Sequence, residues 1–300
     1  MSHQISTTTK SILLLAVLGF CQSGISQSAN APASEYKRVS TTVGRPVAVA
    51  AEMLEKIYDW PITYEDPIAV NESRLEDVSK EAQRLRDPSH PVIIQREGTI
   101  SFTYKVPSPD MVSNGNTNQL DHDRESAVSD ALKSVLAGYN TSGSPETFTI
   151  TEGNSILHVV PENYLTKRGT LQQLTPVLDN KITVLPKSRT RPDLFREICQ
   201  SLSSVTGIHV GVGTFPNQGT ETDTPTTIAG SDITARSLLN QLLSELSTPV
   251  YRDLTFQGGD GQMITRHSVV WNGGPMSWEL FYSPGWGYVL NIYQVRTDNK

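Results

Sequence analysis

The chain has 300 residues, 37% of them hydrophobic, and sets 25 Lys and Arg against 31 Asp and Glu for a formal charge of -6. That apolar fraction excludes a disordered chain, and the length favours two cores, because domains usually hold about 100 to 200 residues. The mildly acidic balance provides no electrostatic footprint for nucleic acid or anionic lipid.

Residues 1–31 read as an export signal and tether. Lys10 precedes an uncharged apolar run, Ile12 to Phe20, and small residues follow around Gly24-Ile25-Ser26 and Ser28-Ala29. That run is far shorter than the roughly 20 residues a bilayer core requires, so cleavage between Ser26 and Ala31 is expected, with no membrane span in the mature chain. Losing residues 1–26 removes Lys10 and no acid, which takes the formal charge from -6 to -7. A periplasmic or extracellular location follows. A lipid anchor at Cys21 competes with this reading, although Leu18-Gly19-Phe20-Cys21 fits a bacterial lipobox at only two positions. Without Cys21, Cys199 is the sole thiol and no intrachain disulfide can form; its apolar helical surroundings predict a buried, inert group.

After a short tether, Tyr36 to Val43 reads as a strand. Arg45-Pro46 opens a helix that buries Val47, Ala50, Ala51, Leu54, Ile57 and Tyr58 and ends at Trp60-Pro61. Ile62-Thr63-Tyr64 follows as a short strand. Leu75, Val78, Ala82 and Leu85 keep helical spacing in a charged stretch, which predicts a surface helix over 72–87. Val92 to Val106, broken at Glu97-Gly98, predicts a strand or hairpin, and 107–122 a long loop. Asp123 is placed to cap a helix over 124–138 that buries Val128, Ala131, Leu132, Val135 and Leu136. Phe148 to Thr151 and Ile156 to Val160 flank a tight turn.

From Ile182 the order begins again. A strand to Leu185 leads to a helix opened by Arg191-Pro192, with Leu194, Phe195, Ile198, Cys199 and Leu202 on one face and Gly207 as its stop. Ile208 to Val212 is a strand. In Ile233 to Leu246, leucines 238, 239, 242, 243 and 246 form the buried stripe, while Arg236, Ser237, Asn240, Gln241, Ser244 and Glu245 fill the other side. Tyr251 to Phe256, Ile264 to Trp271, Ser277 to Tyr282 and Tyr288 to Val295 complete the strands.

An offset of 107 residues sets Ala131-Leu132 and Val135-Leu136 on Leu238-Leu239 and Leu242-Leu243. An offset of 145 sets Glu52, Met53 and Ile57 on Glu197, Ile198 and Leu202. The expected fold class is therefore α+β: two related small units, 36–161 and 182–296, each a short mixed or antiparallel sheet covered by two helices. This order, and above all Ile228 to Leu246 with a hairpin after it, resembles the secretin and TonB short N-terminal (STN) domain, over about 60 to 80 residues per unit. The resemblance implies an exported bacterial module that makes protein contacts in the periplasm. In that family the module usually precedes an outer-membrane barrel or secretin pore; no barrel is read in the sequence up to Lys300, so a transport or signalling role is not part of the expectation.

Motifs for catalysis and cofactors are absent from the sequence. There is no Gly-x-Ser-x-Gly elbow and no Gly-x-x-x-x-Gly-Lys-Ser/Thr phosphate loop, and Gly211-Val212-Gly213 runs into Phe215-Pro216 instead of a helix. Asp121-His122-Asp123 offers metal-ligand types, but neighbours in sequence rarely converge on one ion, and a capping loop accounts for them. His158 and His209 are expected to be hydrogen-bonded or edge residues of strands, and Glu65-Asp66 and Glu76-Asp77 to be surface. No catalytic residue, cofactor or metal site is assigned. Trp278 is expected to pack under the 233–246 helix. Trp286, in a turn, is the candidate contact for a protein or a glycan, with Tyr288 and Trp271 beside it. The expected role is a non-enzymatic envelope protein that binds a partner or assembles. The alternative is an envelope hydrolase or metal-dependent enzyme with its site, including His122 and Asp123, in the groove between units.

Overall fold

A computed structural model describes residues 36–68, 75–78, 93–107, 117–144, 146–153, 155–166, 168–216, 225–257, 262–271 and 273–295. The signal and tether reading of residues 1–31 lies outside them, as does most of the predicted 72–87 helix. Within that stretch, Leu75–Asp77 is a strand, β3, paired with β4 (Ile93–Gln95).

The fold is α+β, with four α-helices among the described residues: α1 (Pro46–Tyr58), α2 (Thr117–Asn140), α3 (Arg191–Thr206) and α4 (Ala235–Ser247). Each forms where apolar residues recur at helical spacing, and each stops for a local reason. Gly207 ends α3 with φ of 67°, a left-handed conformation that glycine adopts without Cβ strain. Helix α2 starts at Thr117 rather than 124, so Asp123 lies within it and not at its cap.

The expected pair of separate units is not confirmed, because strands of both segments join one seven-stranded sheet. It comprises β2 (Ile62–Glu65), β6 (Thr147–Gly153), β7 (Ile156–Leu165), β8 (Leu171–Gln173), β11 (Val210–Val212), β16 (Met276–Ser283) and β17 (Gly287–Gln294). Its order is β11-β17-β16-β2-β7-β6, with β8 paired to β7. The seam is the parallel pairing of β16 with β2, in which Asp66 N donates to Leu280 O at 2.8 Å.

Side chains alternate across this sheet and separate two cores. Ile62 and Tyr64 of β2 and Leu157 and Val159 of β7 pack with α1 and α2. Trp278 and Leu280 of β16 and Leu290 and Ile292 of β17 pack on the opposite face with α3 and α4. Each helix pair is also packed against a two-stranded sheet. β1 (Tyr36–Val43) pairs with β5 (Gly98–Lys105), which gives Ile100 and Phe102 to the first core. β9 (Lys181–Val184) pairs with β13 (Gly230–Thr234), which gives Ile182 and Val184 to the second. The stretch 92–106, expected as a strand or a hairpin, is instead two strands, β4 and β5, which pair with different partners.

The order of pairings recurs. The strand before α1 pairs with the strand before α2, and β9, which the two-residue β10 (Arg189–Thr190, paired with β12, Pro225–Thr226) separates from α3, pairs with the strand before α4; all these pairs are antiparallel. The strand after α1 runs parallel to the second strand of the β6–β7 hairpin, as β11 does to the second strand of β16–β17. Leu157 N donates to Pro61 O at 3.2 Å, and Tyr288 N donates to His209 O at 2.8 Å in the same relation. The offset of 107 carries every apolar buried position of α2 from Val128 to Tyr139 onto a buried position of α4 from Ala235 to Leu246. For α1 and α3 the buried faces match at 144, Val47 on Arg191 and Leu54 on Ile198, and not at the expected 145.

Candidate functional site

The seam is held by ionisable groups that the sequence places at the surface and the structure places inside. Glu65 and Asp66, expected at the surface, are both fully buried. Asp66 Oδ2 accepts from Arg45 Nε at 2.7 Å and from Tyr282 N at 2.8 Å, and Arg45 lies 4.7 Å from the Phe281 ring centroid. Glu65 Oε2 accepts from Arg236 Nη2 at 2.8 Å, while its other oxygen accepts from Val177 N. Burial pushes Glu65 up to about 7 against the pull of Arg236. Glu55 Oε1 accepts from Ile62 N at 2.7 Å, and Tyr293 Oη donates to its Oε2 at 3.0 Å.

Helix α4 presents the second polar layer. Thr234 caps it by accepting from Ser237 N, which sets the phase of the helix. Arg236 and Asn240, four residues apart and so on one face, are 8% and 7% exposed rather than on the solvent side. The cause is tertiary: α4 lies between β13 and β16, so flanks of its leucine stripe are also covered. Asn240 Nδ2 lies 3.1 Å from His158 Nε2, and His158 Nδ1 lies 2.6 Å from Thr63 Oγ1. The imidazole stacks on Trp278 at 5.8 Å between centroids, and Arg236 sits 5.4 Å from the same indole. Burial, with Arg236 nearby, lowers the His158 pKa to about 3, so the ring is neutral at physiological pH.

Asn240 also lines a cleft of ≈ 840 Å³ at the amino ends of β2, β7 and β16. One wall is the start of α2, with Asp121, His122, Arg124 and Glu125; another is α4, with Gln241 and Ser244. Trp60 enters it because Asp59, at φ of 51°, terminates α1 and Pro61 prevents further helix. Trp60 is 7% exposed and its Nε1 has no hydrogen-bond partner; the Oδ1 of Asn240 is likewise buried without one.

The residues singled out from the sequence fall in different places. Trp286 is 69% exposed at the β16–β17 turn. Tyr288, its expected companion, is fully buried and packs edge-on against Tyr282, so it offers no contact to a partner. Trp271 lies on β15 (Met263–Trp271), which pairs with β14 (Val250–Gln257), and its side chain lies outside the described residues. Trp278 is completely buried in the core that contains α4. His122 lines the cleft, whereas Asp123, the next residue of α2, is exposed outside it. Among the described residues no group of three or more His, Cys, Asp or Glu could hold a metal ion. None of the helices described there is long and apolar enough to cross a membrane.

Glu65, His158 and Arg236 carry weak signals in the sequence. Strand alternation puts Glu65 opposite Tyr64 and His158 opposite Leu157 and Val159, which implies burial only once both faces of the sheet are known to be covered. Searched against protein-family models, curated proteins and solved structures, the chain has no match in any of the three.

Proposed function

We propose that this chain is a non-enzymatic binding or assembly protein of the bacterial cell envelope, built from two STN-like units that arose by duplication. The observation that supports it is the recurrence of one pairing scheme, for the strands that flank the helices, on the two faces of a shared sheet. A chance likeness of two helices would not reproduce the antiparallel pair ahead of them and the parallel pair behind them. The second segment's strands run opposite to their counterparts and its helices lie on the opposite face. A two-fold rotation about an axis in the sheet plane, perpendicular to the strands, has that effect.

The ionisable groups of the seam favour a scaffold over a catalyst. Arg236 with Glu65 ties the two segments directly, while Arg45 and Asp66, paired within the first segment, both bond the backbone of Tyr282 in the second. Candidate contact surfaces among the described residues include the cleft and the exposed Trp286.

Expression with residues 1–31 intact, followed by fractionation and mass spectrometry of the product, tests export. The protein is expected in the envelope fraction, shortened at its start. Crosslinking in intact cells is expected to capture a partner whose yield falls in Trp286→Ala. Retention of the full-length chain in the cytoplasm, or crosslinks that Trp286→Ala leaves unchanged, would overturn the corresponding part.

A further inference from the structure

We propose that the β14–β15 hairpin is a docking arm that takes up an extended, basic segment of a partner protein as a third strand. This names a partner class for the binding role proposed above and rests on that role.

The arm interrupts the internal repeat. Helices α2 and α4 correspond at an offset of 107, whereas the equivalent bonds from Leu157 N to Pro61 O and from Tyr288 N to His209 O set β7 and β17 131 residues apart, from 157 to 288. Residues 250–271 occupy most of the difference, so the arm is an insertion in one half of a recurring scheme. In repeat architectures such insertions often form the binding face. The arm is also fastened at its root. Gly273 has φ of 68°, and a Cβ there would lie 2.4 Å from Ser247 O; Gly274 N donates to that same oxygen at 3.0 Å, and Gln294 Nε2 to Gly273 O at 2.8 Å.

Beyond the root, β14 and β15 pair from Val250↔Trp271 to Gln257↔Met263 and with no other strand among the described residues, which leaves each an edge open to pairing. A lone two-stranded hairpin is marginally stable in water, and a third strand added along its edge extends the ladder. The ends of the seven-stranded sheet are blocked by comparison. The Asn140 side chain bonds Phe148 N and O at 3.0 and 2.9 Å, and Ser203 Oγ lies 2.8 and 3.4 Å from Val210 N and O. The strands of the arm hold no lysine or proline, the residues that protect natural edges. Met263 and Ile264, beside the tip, are 67% and 40% exposed and alternate across the ribbon, so either face meets a partner with an apolar side chain.

The charge of the partner follows from the surface beside the root. Ser247, Pro275 and Met276, which flank the arm, also line the cleft. Its carboxylates, Asp59, Asp121, Glu125 and Glu245, outnumber Arg124, His122 and Arg191, the last 3.6 Å from Glu245. The whole chain is acidic as well, at -6, so a second copy is the disfavoured occupant and a basic segment the favoured one.

The test is hydrogen–deuterium exchange and calorimetry on the purified full chain with three synthetic peptides of about ten residues, one alternating valine and lysine, one valine and glutamate, and one proline and lysine. The valine–lysine peptide is expected to bind with Kd of ~0.1 mM or tighter and to slow amide exchange in 250–257 and 263–271. The glutamate peptide should bind about tenfold more weakly, and the proline peptide, whose rings interrupt the ladder, should give no protection. Replacing residues 250–272 by a Gly-Ser link between Pro249 and Gly273, whose backbones already meet at the root, should abolish binding with an unchanged unfolding midpoint. Asp121→Lys, at the exposed start of α2, keeps the arm and should weaken binding of the valine–lysine peptide about threefold. No protection of the arm at about 1 mM of that peptide, equal affinity for the glutamate peptide, or binding that the deletion leaves intact overturns the inference. So does a dimer of the chain alone that the deletion abolishes, which would make a second copy the occupant. Because these measurements use purified protein, their failure alongside intact export and crosslinking would leave the envelope role standing.

Discussion

Glu55 gives the sharpest test of the seam. Its carboxyl is 1% exposed and bonded to Ile62 N and the Tyr293 hydroxyl, and burial, with Glu279 adding like charge, pushes its pKa from 4.5 to about 8. The folded protein therefore holds this proton more tightly than the unfolded chain. Stability from this group is fully present below pH 4.5, falls as pH rises, and is lost once pH passes about 8. A shift of that size corresponds to about 5 kcal/mol for a rigid site, and local relaxation reduces the observable part to a few kcal/mol. Glu55→Gln keeps the shape and the acceptor for Ile62 N but cannot ionise. Urea unfolding of both proteins from pH 4 to 9 should give nearly equal stabilities at pH 4, with the variant ahead by ~2–4 kcal/mol at pH 9. Titrating groups that do not interact with Glu55 cancel in the difference, and Glu279, which does, acts in the same direction by repelling the ionised Glu55. A difference that does not change with pH, or that favours the parent protein at pH 9, would refute the reasoning.

Three further outcomes follow from the same structure. Arg236→Met strips the buried Glu65 carboxylate of its cation and should cost about 3–5 kcal/mol in denaturant unfolding, most of it restored by adding Glu65→Gln; additive losses would refute the pairing. Trp278→Ala should cost about 3–5 kcal/mol because the indole is fully buried, while Trp286→Ala should stay within about 0.5 kcal/mol; similar values for the two would contradict the assigned burial. The Cys199 thiol, pushed up to about 12 by burial, should react with a disulfide reagent only as fast as the protein opens; rapid native-state labelling at pH 8 would show otherwise.

What the sequence determined by itself was local. The stripes of α1, α3 and α4 and the alternation of β16 and β17 follow from periodicity, and Gly207 and Pro46 mark their limits, because each depends on residues within one or two turns. The inert Cys199 and the buried Trp278 were legible for the same reason. What only the tertiary structure decided is which strands share a sheet. Nothing local distinguishes β2 pairing with β16 from β2 standing at an edge, since that bond joins residues more than 200 positions apart. Once the pairing forms, it covers the far side of β2 and encloses Glu65, Asp66 and His158, and with them Arg236 and Asn240 on α4. Polar residues read one by one look solvated, and their burial is a property of the partners that close over them.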